Sequence, residues 1–313
     1  MDRKDKIKMF LTDPRRLLSL YHFFGEKVNS QIGEWRGPPE GTHVMDKDWD
    51  SLLILDGCRY DLFERVNTID GLLESRTSLG SYSGGFLQQN FRDQAFHDTI
   101  YVTANPYSHE IEPDTFHATI NVLEERWDAE LGTVPPEEMA DAVREAHETY
   151  PNKRLIGHFM QPHVPFIGPT GQDLPQGGIG PDRVDSDDSD DSPPDIWRQL
   201  QFRLTDVDHK TVLKAYEENL EIVLEEIRPL LNDLDGKTVI SSDHGNLLGE
   251  WIGPFPAKGF GHPPRTYAEN LITVPWLEIP AQNRREIRSD APVTNDQIDD
   301  EVVEQRLKDL GYA

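Results

Sequence analysis

The chain has 313 residues, 57 Asp and Glu against 31 Lys and Arg, a net charge of −26, one cysteine and a mean hydropathy of −0.62. That balance excludes a nucleic-acid binder built on a basic face, and the lone Cys58 excludes an internal disulfide. No apolar run approaches the length a membrane-spanning helix requires. The acid excess runs along the whole chain and suits a salt-rich cytoplasm. At about 1 M salt the Debye length is roughly 3 Å, so the net charge would not repel an anionic substrate. A halophilic, cytoplasmic protein is expected, with no secretory leader recognised in residues 1–30.

Residues 2–35 are the only locally basic stretch and carry apolar residues at helical spacing around Leu17, Leu18, Leu20 and Phe23. A membrane-surface helix is one reading. A terminal helix docked on the domain is preferred, because Pro14 interrupts the pattern, and residues 1–45 are taken as a helical extension. Next, 49–55 (WDSLLIL) is an almost unbroken apolar run ending at Asp56-Gly57, the pattern of a strand buried on both faces. The segments 99–103 (TIYVT), 154–160 (RLIGHFM) and 237–240 (KTVI) repeat it. Helical patterns lie between them at 61–66, 136–149 and 212–231, the last with a break expected at Pro229. Alternating strands and helices predict an α/β fold with a mostly parallel central sheet and helices on both faces. The domain is bounded at 46–280. Within it, residues 168–195 are almost wholly Gly, Pro, Asp and Ser; DSDDSDDS lacks EF-hand spacing, so this reads as a disordered acidic insertion. Residues 281–313 read as a polar tail with a peripheral helix at 296–310.

In an open α/β sheet, ligands bind beyond the carboxyl ends of the strands. Asp56 ends the first run, His163 follows the third in GHFMQPHVPF, and Asp243-His244 ends the fourth in VISSDHGNLLGE. A carboxylate and an imidazole on one tight turn, followed by Gly245, can face one cation. Each feature has a duller reading: Asp56 as a cap for the next helix, Asp243-His244 as an ordinary turn. Their joint placement at strand ends favours a site. Arg59 could neutralise an oxyanion through its planar fork or pair with Asp61.

These pieces, LLILDGCRYD (52–61), HFMQPHVPF (158–166), VISSDHGNLLGE (239–250) and GHPPRTYAENLITVPW (261–276), together resemble the alkaline phosphatase superfamily, in particular its sulfatase-like branch in a haloarchaeal-type form. The resemblance covers roughly residues 50–280 and implies an alkaline phosphatase-like fold. It implies a divalent metal, Zn, Mn or Ca, held by Asp56, Asp243 and His244, with a nucleophilic hydroxyl as a further ligand. It places that hydroxyl in SRTSLGSYSGGFLQQNF (75–91), where Ser83 is preferred over Ser81 and Thr77 because it directly precedes Gly84-Gly85 and a helix start. It also implies that His163 and His262 hold substrate oxygens, protonate a leaving group or bind a second metal, with Arg59 as a further substrate contact. Two departures matter. Cys58-Arg59-Tyr60-Asp61 is not the Cys-x-Pro-x-Arg signature of formylglycine sulfatases, and Gly57 stands where a further acidic ligand is usual, so one metal is expected rather than two.

The expected activity is a metal-dependent hydrolase or group transferase acting on phosphate or sulfate esters of small molecules or glycans, through a serine. Two alternatives stand beside it: an inactive sulfatase-like binding or regulatory protein, and a membrane-edge transferase acting on lipid-linked sugars. No nucleic-acid partner is expected, membrane contact through 2–35 is not favoured, and oligomeric state is open.

Overall fold

The computed structural model describes residues 14–175 and 195–293, together with 302, 305 and 306. Its centre is β1 (Ser51–Asp56), six residues all buried. β1 pairs in parallel with β5 (Arg154–Pro162) on one side and β6 (Thr238–Ser242) on the other. β3 (Phe96–Thr103) and β4 (Phe116–Asn121) extend the parallel array beyond β5. On the far side, β9 (Thr273–Ile279) runs antiparallel to both β6 and β2 (Leu72–Thr77). The order is β2-β9-β6-β1-β5-β3-β4, a mixed α/β fold with a mostly parallel seven-stranded sheet.

Side-chain alternation on β1 divides the core between two layers. Leu53 and Leu55 join one cluster with Phe63, Met139, Val143, Tyr216 and Leu220. These come from α2 (Tyr60–Val66), α4 (Pro136–Thr149) and α7 (His209–Asp233). Leu52 and Ile54 face the opposite way, toward Phe86, Phe91, Tyr101, Phe116 and Trp276, beneath α3 (Ser83–Phe91). With both faces of β1 packed, each of its four aliphatic side chains contributes on the order of 1.5–3 kcal/mol by leaving water.

Four of the expected strands are present as β1, β3, β5 and β6, and helices cover both faces as anticipated. The break expected at Pro229 is absent: α7 continues through it to Asp233. A proline removes one N–H bond and crowds the carbonyl of the preceding turn, and the burial of Val223, Leu224, Ile227 and Leu230 on both sides of it offsets that cost. Pro14 likewise opens α1 (Pro14–Arg36) rather than interrupting it, since the first turn has no acceptor for that N–H. The acidic insertion lies, for residues 176–194, outside the described residues. At its start, however, α5 (Pro169–Gln172) is ordered, with Thr170 donating from both N and Oγ1 to Glu218 on α7. The tail helix expected at 296–310 falls almost wholly outside the described residues. α6 (Ile196–Phe202) and the antiparallel hairpin of β7 (Leu247–Ile252) and β8 (Ala257–Gly261) pack beside α1.

One side chain of α7 fixes the loop that follows β5. Asn219, fully buried, donates from Nδ2 to the carbonyls of Pro162, His163 and Pro165 at 3.0–3.3 Å and accepts from Ile167 N at 2.7 Å. The loop therefore has little freedom to move His163. Asn219→Ala leaves these backbone groups unpaired in the interior and is expected to cost about 2–3 kcal/mol in denaturant unfolding. A variant as stable as the wild type would show that the clamp is dispensable.

Candidate metal centre and active site

The parallel strands deliver their polar residues at one end of the sheet. β1 ends on Asp56 and Gly57 turns the chain away with φ +67, a conformation glycine adopts without strain. The register with β5 slips there, Leu55 pairing with Phe159 but Asp56 with Pro162. Beyond β6, Asp243 and His244 follow, and Gly245 lets the backbone abut the Asn270 carbonyl, which an added Cβ would strike. Asp56, Asp243 and His244 are thereby brought together with no solvent exposure.

Each carboxylate is half satisfied. Asp56 Oδ2 accepts from Asn105 Nδ2 at 2.7 Å and from Ser83 Oγ at 3.3 Å. Asp243 Oδ1 accepts from Gly57 N at 3.0 Å and His244 N at 2.8 Å. Their second oxygens, Asp56 Oδ1 and Asp243 Oδ2, have no partner within hydrogen-bond distance, and neither has His158 Nε2, which approaches Asp243 Oδ2 to 3.6 Å. These orphaned atoms converge: Asp56, His158 and Asp243 offer ligand atoms all within 4.8 Å of one another. His244 Nε2 lies 3.5 Å from both orphaned oxygens and 3.4 Å from Ser83 Oγ. The Gly245 carbonyl, 2.7 Å from His244 Nδ1, can only accept, so that nitrogen carries a hydrogen and Nε2 is the nitrogen turned toward the carboxylates. Buried polar atoms are rarely left without partners. Several here share one focus, and two are carboxylate oxygens, so the set has the composition and spacing of a divalent-cation site.

The electrostatics agree. Burial first, and then the neighbouring Asp243, push the Asp56 carboxyl well above its ordinary range. Burial pushes Asp243 upward as well, but His244, His158 and the Gly57 N–H outweigh it and hold that carboxyl low. Without a cation, Asp56 is the carboxyl of the two that takes up a proton more readily.

Ser83 opens α3, where the first N–H groups have no acceptor in the helix and favour an anion. Gly84 and Gly85 are small because the Tyr82 ring lies across this turn, 2.8 Å from where either Cβ would stand. Ser81 turns elsewhere, donating to Pro263 O at 3.2 Å and accepting from Thr266 N at 3.3 Å. Thr77 lies on β2. His163 and His262 stand side by side, ring centroids 4.9 Å apart, with His262 4.8 Å from the His244 ring. Burial lowers both, His163 to about 4, and the neighbouring imidazoles add to the effect; both are neutral near pH 7. They wall a cleft of about 190 Å³ with Tyr82, Tyr107, Trp197 and Arg198. The Arg59 guanidinium is taken up by Asp61 at 2.7 Å and Glu250 at 2.6 Å, so of its two expected roles the structure places it in the ion pair. Cys58 is buried against the sheet.

Two members of the set escaped the sequence reading. His158 sits inside β5, where a single polar residue in an apolar run looks like core, and its Nδ1 is held 2.9 Å from the Tyr101 hydroxyl, which orients Nε2 inward. Asn105 lies two residues beyond β3, at the end of the sheet where β1 finishes on Asp56, and that position was its only signal.

No family model and no curated protein matches the chain. Among solved structures it is similar in outline to the C-terminal periplasmic domain of EcEptC from Escherichia coli in complex with Zn (14% identity, 79% of this chain and 77% of that one, TM-score 0.45). It is also similar to the soluble domain of lipooligosaccharide phosphoethanolamine transferase A from Neisseria meningitidis (11%, 74% and 76%, TM-score 0.46). A putative sulfatase from Bacteroides thetaiotaomicron is a third (13%, 84% and 70%, TM-score 0.45).

Because the Asp56 pKa is raised on folding, its contribution to metal-free stability is complete below the unfolded carboxyl range and is lost as pH rises through the folded value. Buried neutral His163 and His262 act in the opposite sense, adding stability as pH rises through the ordinary imidazole range, so the Asp56 contribution is read as a difference: metal-free wild type is expected to lose melting temperature relative to Asp56→Asn as pH increases from 5 to 8. A pH-independent difference between the two would contradict the two-carboxylate focus. His158→Ala should weaken metal retention by at least about ten-fold, by analogy with losses seen on removing metal-site partners, and elemental analysis after dialysis measures this directly.

Proposed function

We propose that the chain is a metal-dependent hydrolase or group transferase of phosphate or sulfate esters, acting through Ser83. One divalent cation, Zn, Mn or Ca, would be held by Asp56, Asp243, His244 and His158. The observation that carries this reading is the convergence of orphaned, fully buried ligand atoms on one point, with the Ser83 hydroxyl 3.3 Å from Asp56 Oδ2 and 3.4 Å from His244 Nε2. When bound, the cation would supply Lewis acidity, favouring the ionised hydroxyl and neutralising charge on the ester.

The chain's own groups account for the remaining steps. Ser83 directs its proton at Asp56 Oδ2, and loss of that proton frees an oxygen for in-line attack on phosphorus or sulfur. A Ser83 Oγ–P or Oγ–S bond forms as the bond to the leaving oxygen breaks. The free N–H groups at the start of α3 face the transferred anion. Neutral His163 and His262 are placed to hold its oxygens or the departing alcohol. Transfer of the group from Ser83 to water completes hydrolysis; transfer to another hydroxyl completes group transfer. The aromatic walls at Tyr82, Tyr107 and Trp197, with Arg198 beside them, suit the organic part of a small or glycan ester.

Turnover of an aryl phosphate and aryl sulfate panel with added Mn or Zn tests the proposal. Ser83→Ala is expected to keep its metal and its fold while kcat drops on the order of 10³-fold or more, as nucleophile removal does elsewhere. Metal uptake by the wild type with no turnover of any ester would favour a binding or regulatory role instead.

A further inference from the structure

Helix α1 is turned inside out relative to an ordinary surface helix. Its inward face is polar or small: Ser19, His22, Glu26 and Asn29 are buried, and Gly25 and Gly33 touch neighbouring chain directly. Asn29 exchanges hydrogen bonds with the Phe255 backbone, His22 accepts from Lys258 N, and Glu26 pairs with Arg198 at 2.9 Å and Gln201 at 2.9 Å. The outward face is apolar. Leu17, Leu20, Tyr21 and Phe24 are exposed, Phe24 by 64%, and Trp35 is 84% exposed. Phe24, Val28, Ile32 and Trp35 border an open hollow of about 470 Å³, with Lys27 and Gln31 at its edge. Trp251, 65% exposed, continues apolar surface onto the adjoining hairpin beneath Lys258.

Charge distinguishes the N-terminal segment from the rest of the molecule. Residues 1–16 hold six Lys and Arg and three Asp and Glu, while 17–36 balance at two of each, a net +3 over 1–36 that leaves −29 for the remainder of the −26 total. A basic segment bearing an outward stripe of leucine, phenylalanine and tryptophan fits an anionic lipid surface, into which such a helix lies flat. At 23 residues α1 is about 35 Å long, and no described helix is long and apolar enough to cross a membrane. A second copy fits less well, because Lys27 stands along the edge of the stripe about halfway between Leu17 and Trp35, so an antiparallel pair of α1 helices would oppose like charges. The acidic remainder is screened from the surface beyond a Debye length of roughly 10 Å at 0.1 M salt.

We propose that the exposed face of α1 is a docking surface for anionic phospholipid bilayers, on which the helix lies in the plane of the headgroups. The docked helix would sit beside the cleft: Ser30 Oγ donates to Pro264 O at 2.6 Å and Glu26 holds Arg198, and both Pro264 and Arg198 line the cleft wall. The proposal concerns binding alone and stands independently of the chemistry assigned to Ser83.

Co-sedimentation of the full chain with phosphatidylglycerol and phosphatidylcholine vesicles tests it. Pelleting is expected with phosphatidylglycerol, several-fold weaker with phosphatidylcholine, and reduced at 1 M salt. A Phe24→Ser/Trp35→Ser double variant, altered only at exposed positions, should keep the wild-type melting temperature and lose at least about ten-fold in vesicle affinity, given the apolar area withdrawn. Wild type remaining in the supernatant, equal pelleting with both lipids, or an unaffected double variant would overturn it. So would a concentration-dependent dimer, seen by light scattering, that the double variant abolishes.

Discussion

Two carboxylates, Asp56 and Asp243, are held in the interior at the end of adjacent parallel strands with one oxygen of each left over, and the local structure is arranged around that fact. Two ionised carboxylates so close and so buried repel one another and forgo hydration. The chain offsets part of this with fixed donors: Asn105 and Ser83 for Asp56, and the Gly57 and His244 amides for Asp243. It stops short of full satisfaction. A purely structural arrangement would supply partners for Asp56 Oδ1 and Asp243 Oδ2, or would place an apolar pair there; leaving both pointing at His158 and His244 creates a focus that only a positive charge completes.

Rigidity in this region comes from outside the focus. β1 is gripped on both edges by parallel partners and on both faces by helices, so Asp56 has a fixed origin. The β5 loop is clamped from α7 by Asn219, and the Tyr216 hydroxyl donates to the Gly57 carbonyl at the turn after Asp56. Arg59, which bridges Asp61 and Glu250 while donating to the Asn246 carbonyl, ties the β1 turn to the segment that follows Asp243 and His244. Under the proposed chemistry, a group positioned this way needs little reorganisation when charge develops beside it.

What the sequence disclosed follows from which residues had a local signature. The inner parallel strands were readable because burial on both faces demands unbroken apolar runs. β2 and β9 were not, since LLESRT is half exposed and β9 is interrupted by Pro275. Asp56, Asp243 and His244 were readable because polar residues directly after buried strands stand out. His158 was hidden because a histidine inside such a strand has the same signature as a packed one, and only its unpartnered Nε2 separates the two. Choosing between Ser81 and Ser83 rested on the helix start. The tertiary contacts of Ser81 with Pro263 and Thr266, invisible in a linear pattern, now account for that residue separately.

The reversed direction of β9 places the polypeptide at the opposite pole of the sheet from Ser83 once the last strand ends. There Arg284 grips Asp48 and Asp50, Arg285 reaches the Tyr150 carbonyl, and Asp290 meets Lys153. The sheet thus has a fastening pole and a pole that carries the buried carboxylates, about one strand length apart. Evolution can retune the ion pairs that secure the closing strap for a new salinity or temperature without moving any atom of the Asp56–Asp243 focus, and can reshape the cleft without loosening the strap.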